Sequence, residues 1–272
     1  MQPLDEGSAE RLLRLLGMRA GLAGFAGLTE LVGAYSRRVP FENISKLLYK
    51  QRRGLTYIAD IDLFLDGIER WNFGGTCYAN NYYLCRLLLA LGYHARLCGA
   101  DMSTPDVHAA IVTELDGEEY LIDAGYAAPF AAPMRRGLRE DFVIHCGRNQ
   151  YVLNPQDTAG CSRLEHRRDG AAIHGYTLKP QARELEHFRG AIESSFCPDA
   201  TFMNAVLVAR FRPEGFVTLH NEKVLIERDG ESEEYQLSGR NEMCVEIERL
   251  FGIPDEIARE ATAKIATLKD EL

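Results

Sequence analysis

The sequence predicts an α+β fold in three stretches: a helical N-terminal part, a central antiparallel sheet or small β-barrel, and a mixed α/β tail. Apolar residues recur at helical spacing from residue 8 to about 92. From about 95 to 220 the texture changes to short β-branched and aromatic runs separated by Gly, Pro, Asp and Asn. Two further helical patterns close the chain, one from about Asn241 to Phe251 and one after Pro254.

The first helical pattern begins at Ser8 ahead of ERLLRLLG, and the second runs from Thr29 through ELVGAYSRR to the break at Pro40. A third covers IDLFLDGIERW. The fourth, Cys77 to Leu91, puts Cys77, Leu84, Leu88 and Leu91 on one face, with Gly92 where a left-handed cap ends a helix. Cys77 therefore starts a helix and looks toward its buried side. Among the strands, AAIVTEL and EEYLIDAGY flank Asp116-Gly117, a two-residue hairpin turn. A second hairpin joins NAVLVARF to FVTL through Pro213-Glu214-Gly215, and further strands lie around KVLIERDGESEEYQL.

The 272 residues, 46% hydrophobic, suffice to bury a sizeable core. The net charge of -9 argues against a nucleic-acid partner, which needs clustered Lys and Arg. The basic pairs Arg52-Arg53, Arg135-Arg136 and Arg167-Arg168 read as solvated surface. The acidic N-terminus lacks the basic start and apolar run of a signal peptide, and no stretch reaches a membrane span, so a cytoplasmic location is expected with no membrane partner. Seven cysteines without a CxxC pair fit reduced thiols better than a disulfide framework. The histidines outside position 108 show no metal-ligand spacing, so no metal site is expected. Cys85, two turns into the fourth helix, reads as packing.

Chemistry concentrates at Phe73-Gly74-Gly75-Thr76-Cys77, a glycine turn feeding a helix with Thr76 at the N-cap position. A free cysteine titrates near about 8.5. A helix N-terminus contributes only about 0.3 to 1 kcal/mol toward its anion, less than one pKa unit. A second helper is needed, and His108 is the candidate. With a two-residue turn at Asp116-Gly117, Leu115 pairs with Glu118, and the register extrapolates to Ala110 opposite Asp123 and His108 opposite Gly125. His108 and Asp123 then share a face as diagonal neighbours. A three-residue loop would put them on opposite faces. An aspartate at the end of the apolar run Tyr120-Leu121-Ile122 also wants a partner. The roles follow: Cys77 attacks an acyl carbonyl, His108 moves the proton, and Asp123 orients the imidazole.

Val39-Pro40-Phe41-Glu42-Asn43-Ile44, and Gly74-Gly75-Thr76-Cys77-Tyr78 with Asn81, Leu84, Leu88 and Leu91-Gly92-Tyr93, resemble the N-terminal signatures of the arylamine N-acetyltransferases. Val107-His108 and Tyr120-Leu121-Ile122-Asp123-Ala124-Gly125-Tyr126 resemble that family's histidine and aspartate segments. Ser194-Ser195-Phe196, Val217-Thr218-Leu219 and Glu248-Arg249-Leu250-Phe251-Gly252-Ile253 resemble its third domain. The resemblance implies a helical bundle over 1–94, a β-barrel over 95–204 and an α/β lid over 205–272, with a cysteine-protease-like triad between the first two. It implies ping-pong transfer of acetyl from acetyl-CoA, used as acyl donor with no permanently bound cofactor, to an arylamine, arylhydroxylamine or hydrazine. On the same resemblance Phe41, Tyr126, Phe130 and Phe202 are candidate substrate contacts, Ser103 and Thr104 candidate coenzyme A contacts, and the chain a monomer or homodimer.

The pattern also departs from that family. Phe73 stands where the family has an arginine, and Ala79 where it has a glutamate; Glu42 thus lacks its expected arginine and is neutral, matched by another base, or solvated. The segment between Leu97 and His108, where the family binds coenzyme A, is several residues shorter. An amide synthase of secondary metabolism, a transglutaminase-like or peptidase-like hydrolase, and a binding protein with a decayed site are the competing readings.

Overall fold

The computed structural model describes residues 1–19, 21, 23–212, 215–228 and 231–269. The N-terminal part holds α1 (Glu6–Leu15), α2 (Gly24–Arg38), the short β1 (Phe41–Glu42), α3 (Ile44–Arg53), α4 (Ile61–Trp71) and α5 (Cys77–Ala90). Then come β2 (His94–Asp101), β3 (His108–Leu115), β4 (Glu118–Ile122), β5 (Met134–Arg135), β6 (Phe142–Cys146), β7 (Asn149–Leu153), β8 (Ser162–Arg168) and β9 (Ala171–Ala182). A 3-10 turn (Leu185–Phe188), α6 (Arg189–Ser194) and α7 (Thr201–Asn204) lead to β10 (Leu207–Arg212), β11 (Gly215–His220), β12 (Lys223–Arg228), β13 (Glu231–Gln236), α8 (Arg240–Phe251) and α9 (Asp255–Thr262). The architecture is α+β, as the texture of the sequence predicts.

Capping explains the helix ends. α1 begins earlier than the Ser8 start expected: Asp5 is the cap, and Ser8 is the donor whose N–H reaches the Asp5 carboxylate at 2.9 Å. α3, not foreseen as a separate helix, ends with Gly54 in the left-handed region at φ 67°. α5 closes as anticipated. The Gly92 N–H donates to the Leu89 carbonyl and the Tyr93 N–H to the Leu88 carbonyl, with Gly92 at φ 86°.

Strands β2 to β9 form one antiparallel sheet, order β5-β4-β3-β2-β9-β8-β7-β6, curled into a near-closed barrel. Cys98, Ala110, Val112, Leu121, Leu164 and Tyr176 share its inner core. The alternate residues Ala109, Ile111 and Ile122 belong to the helical core with Leu84 and Leu88 of α5. A second sheet, β1-β10-β11-β12-β13, is antiparallel throughout. Its edge strand β1 is drawn from the helical part, Phe41 pairing with Ala209. The loop between β10 and β11 expected at Pro213-Glu214 lies outside the described residues.

One basic pair is not surface. Arg135 is exposed, but the Arg136 side chain has no exposed area; it donates to Ser162 Oγ at 3.1 Å and to the Gly160 carbonyl, and pairs with Glu119, which also binds Arg96. A guanidinium inside the barrel needs that acid. Glu119→Ala is expected to cost about 1 to 3 kcal/mol in a urea melt, because Arg136 is left buried without its carboxylate.

Candidate active site

The hairpin carrying His108 has a two-residue turn. Asp116 and Gly117 both have positive φ, 52° and 77°, the type I′ geometry whose twist matches the flanking strands. Leu115 pairs with Glu118 as expected, but the ladder stops at Ile111 opposite Ile122. Asp123 lies one residue beyond β4, and the extrapolated pairs at Ala110 and His108 are not formed with this segment. The face is nevertheless kept: His108 Nε2 lies 2.8 Å from Asp123 Oδ2, both side chains being buried.

Four donors converge on the Asp123 carboxylate. Oδ2 accepts from His108 and from the Tyr176 hydroxyl at 2.8 Å; Oδ1 accepts from Asn81 Nδ2 at 2.8 Å and from the Gly125 N–H at 2.9 Å. Asn81, one turn after Cys77 on α5, also donates to the Ala109 carbonyl at 2.6 Å and accepts from the Ala124 N–H at 2.9 Å. That single amide fixes the nucleophile's helix against both the His108 and the Asp123 segments. Gly125 packs directly on Cys77: a Cβ there would stand 2.4 Å from the Cys77 Cα.

With Nε2 committed to Asp123, Nδ1 is the ring nitrogen left for the thiol. Burial by itself pushes His108 down; the Asp123 carboxylate and Cys77 overcome it and hold the imidazolium up to about 10. Burial likewise pushes Asp123 up, but His108, Asn81 and Gly125 hold it below the usual carboxylate range. Cys77 opens α5, whose N-cap residue Thr76 makes no side-chain capping bond. Thr76 is the N-cap residue, as expected, and because its hydroxyl makes no capping bond the first N–H groups of α5 keep their capacity to receive negative charge.

The aromatic candidates fall into two groups. Tyr126 stands edge-on to His108 at 5.9 Å, stacks on Phe130 at 5.9 Å and on His174 at 5.5 Å. Phe130 itself is buried in the barrel core. Phe41 is edge-on to Phe202 at 5.8 Å in a separate cluster, and its backbone bridges to Gly75, two residues from Cys77. Ser103 and Thr104 are exposed at the tip of the β2–β3 turn, where the Thr104 carbonyl accepts from the Met102 N–H. Glu42 is fully buried: Oε2 accepts from the Ser45 N–H at 2.8 Å and Oε1 from the Gly74 N–H at 3.1 Å. Burial pushes its carboxyl up toward the protonated form. Of the three fates open to it, burial rules out solvation, and among the described residues no base pairs with it. Phe73, in place of the arginine, packs 5.3 Å from the Trp71 ring and edge-on to Tyr49.

Two contributors carried no assigned role in the sequence reading. Asn81 had a signal, a polar residue four positions after Cys77 on the face that must be buried. Tyr176 had none, because β9 reaches Asp123 only through barrel closure.

A buried thiol on a helix start, an imidazole and a carboxylate so disposed have the residue types that nucleophilic acyl transfer can use. The comparisons agree with that class. Residues 25–259 match the sequence profile of the N-acetyltransferase family, and the chain belongs to the arylamine N-acetyltransferase family. It is 27% identical over 262 residues to the arylamine N-acetyltransferase of Mycolicibacterium smegmatis, covering 89% of this chain and 91% of that one. It is 28% identical over 220 residues to the pineal-gland isozyme of Gallus gallus, covering 69% and 71%. The fold matches the arylamine N-acetyltransferase of Salmonella typhimurium with a TM-score of 0.78 at 18% identity, over 96% and 99% of the two chains. It matches that of Mycobacterium marinum, solved in complex with CoA, with a TM-score of 0.77 at 21% identity over 93% and 97%.

The paired shifts make a pH prediction. The raised His108 contributes stability fully present below its free value of 6.5 and lost as pH rises through about 10, whereas the lowered Asp123 contributes above 3.8 and loses it on acidification. The melting-temperature gap between wild type and Asp123→Asn should therefore be widest near pH 5 to 6.5 and narrow toward pH 10; a constant gap contradicts the pairing. Gly125→Ala should lower turnover by about a hundredfold by displacing Cys77, at a cost of about 1 to 3 kcal/mol in stability.

Proposed function

We propose that this chain is an arylamine N-acetyltransferase working by a ping-pong mechanism, with Cys77, His108 and Asp123 as its catalytic residues. The observation that carries the reading is the His108 Nε2–Asp123 Oδ2 contact of 2.8 Å, with Asn81 of the Cys77 helix bonded to the same carboxylate and Gly125 packed against Cys77. In the first half-reaction the Cys77 thiolate attacks the thioester carbonyl of acetyl-CoA. Charge develops on the carbonyl oxygen, which the uncapped N–H groups at the start of α5 are suited to receive. The tetrahedral adduct collapses, the C–S bond to coenzyme A breaks, and the imidazolium protonates the departing thiolate. In the second half the amine attacks the Cys77 thioester, His108 takes its proton, and the Cys77 thiolate leaves as the amide forms. Asp123 holds the ring in one orientation through both halves.

Thioester-to-thioester exchange is nearly balanced, and amide formation drives the second step. Tyr126, with Phe130 behind it, and the Phe41–Phe202 pair are proposed to flank the flat acceptor. Use of acetyl-CoA is supported by family membership and by the related M. marinum protein solved with CoA. Ser103 and Thr104, on a turn that Asp106 and Lys179 brace, are proposed to meet the donor. The substrates are small molecules, the chain works as a monomer or homodimer, and a reducing cytoplasm suits its seven free thiols.

Incubation with acetyl-CoA should add one acetyl mass increment to the Cys77 peptide, removed when an arylamine is supplied. A folded protein that gains no acetyl group contradicts the reading, and Cys77→Ser should abolish both the increment and transfer.

A further inference from the structure

Lys46, in the first turn of α3, lines a small cavity that no step of the chemistry above uses. The cavity leaves about 40 Å³ for the centre of a water-sized sphere, several times the roughly 10 to 15 Å³ that one water needs. Its lining is mainly apolar, with Phe73, Ala79, Ile192 and Phe196 buried around it. Tyr57 and Ile58, also in the lining, are half-buried, so the cavity reaches the surface beside them. Lys46 is the one charged residue of the described lining, and no acidic side chain joins it. Phe73 and Ala79 stand where the arylamine N-acetyltransferases carry an arginine and a glutamate, so in this chain the cavity holds a cation without an acid.

The ammonium sits at the cavity wall. Lys46 is 8% exposed; its Nζ donates to Ser195 Oγ at 2.5 Å and lies 4.1 Å from the centre of the Phe196 ring, and both partners line the cavity. Ser195 spends its own hydrogen on the Ile192 carbonyl, 2.6 Å away. An ammonium has three N–H donors, and among the described residues Lys46 has no second acceptor and no carboxylate. A buried cation without an anion is costly, and burial pushes this one down to about 7. The groups facing it do not supply the missing charge. Lys50, on the same helix, opposes it; Glu42, on β1, leans to its neutral form. The phenols of Tyr49, Tyr57 and Tyr78 are held neutral by burial and donate to the carbonyls of Leu63, Leu185 and Asp106. The Cys77 thiol, at the start of α5, is the remaining titratable neighbour.

We propose that this cavity is a binding site for a small aliphatic carboxylate of two or three carbons, with its carboxylate on the Lys46 ammonium and its alkyl group against the apolar lining. A single cation matches a single negative charge, the volume admits only a few heavy atoms, and the aromatic and aliphatic walls favour a carboxylate with a methyl or ethyl group over a bare halide. Gly74, Gly75 and Thr76 also line the cavity, so the occupant meets the turn that delivers Cys77. The site stands whichever acyl donor and amine the chain uses.

Carbon-13 NMR titration of labelled propionate against the intact protein, at constant ionic strength and pH 6, tests it. Propionate should bind in the millimolar range, and propionamide, of the same shape without the charge, at least about tenfold more weakly. Chloride should compete only at concentrations at least about tenfold higher than acetate. Because the ligand needs the ammonium, affinity should fall at least about tenfold from pH 6 to pH 9, through the Lys46 value of about 7. Lys46→Met should weaken binding at least about tenfold, and Ala79→Leu, which fills the cavity but keeps the charge, should do the same. Circular dichroism checks folding, and Lys46→Gln takes the place of Lys46→Met if the latter does not fold. Propionate that binds no better than propionamide, chloride that competes as well as acetate, or folded Lys46 and Ala79 variants that bind like wild type overturn the proposal.

Discussion

A carboxylate with no exposed surface survives in a protein only if every lone pair finds a donor, and the Asp123 carboxylate sets that condition for the whole site. Its four donors come from four places in the fold: His108 on β3, Tyr176 on β9, Asn81 on α5 and the Gly125 backbone just after β4. Satisfying one side chain therefore brings the mouth of the barrel and the nucleophile's helix into a single geometry. The same bonds that make the carboxylate tolerable hold it ionised, and its charge keeps the buried imidazole protonated against the penalty of burial. Structure and reactivity thus rest on one group.

Around it the site is built by close approach rather than by long side chains. Gly125 lets the Asp123 segment lie on the backbone of Cys77, and Gly74 lets the nucleophile turn lie on the Pro40 carbonyl, which a Cβ would meet at 2.0 Å. Glu42 then joins that turn to the start of α3 through two backbone N–H groups. In a family where an arginine is expected before the glycines, this chain has Phe73 packed among aromatic rings, and Glu42 serves as a buried hydrogen-bond acceptor instead of half an ion pair. Lys46, contributed by the helix that Glu42 helps to start, is buried in the same neighbourhood and donates to Ser195.

What could be read in the sequence was what local backbone chemistry dictates. Asp116-Gly117 carries the positive φ values of its turn in its residue types, so the shared face of His108 and Asp123 could be deduced from a ladder that ends short of both. Gly92 marked the end of α5 for the same reason. The rest depended on partners remote in sequence. Arg136 looked like half of a surface pair until barrel closure placed Glu119, Ser162 and Gly160 around it. Ser8 and Asp5 are both good caps, and only the observed bond tells which accepts. β1 is two residues long, too short for any periodicity, and is a strand because β10 pairs with it. Tyr176 became part of the site through a strand some fifty residues away, as its separation of 53 from Asp123 records.

The central claim is that the buried imidazole of His108 is a stable cation, held by Asp123 on one nitrogen and facing Cys77 with the other. The most direct measurement is nitrogen-15 NMR of the histidine rings across pH 6 to 9, with His108→Gln to assign the signal. The account predicts that both ring nitrogens of His108 stay protonated through pH 8, in line with the value of about 10, and that alkylating Cys77 alters the Nδ1 resonance. A His108 ring that is neutral at pH 7 would contradict it.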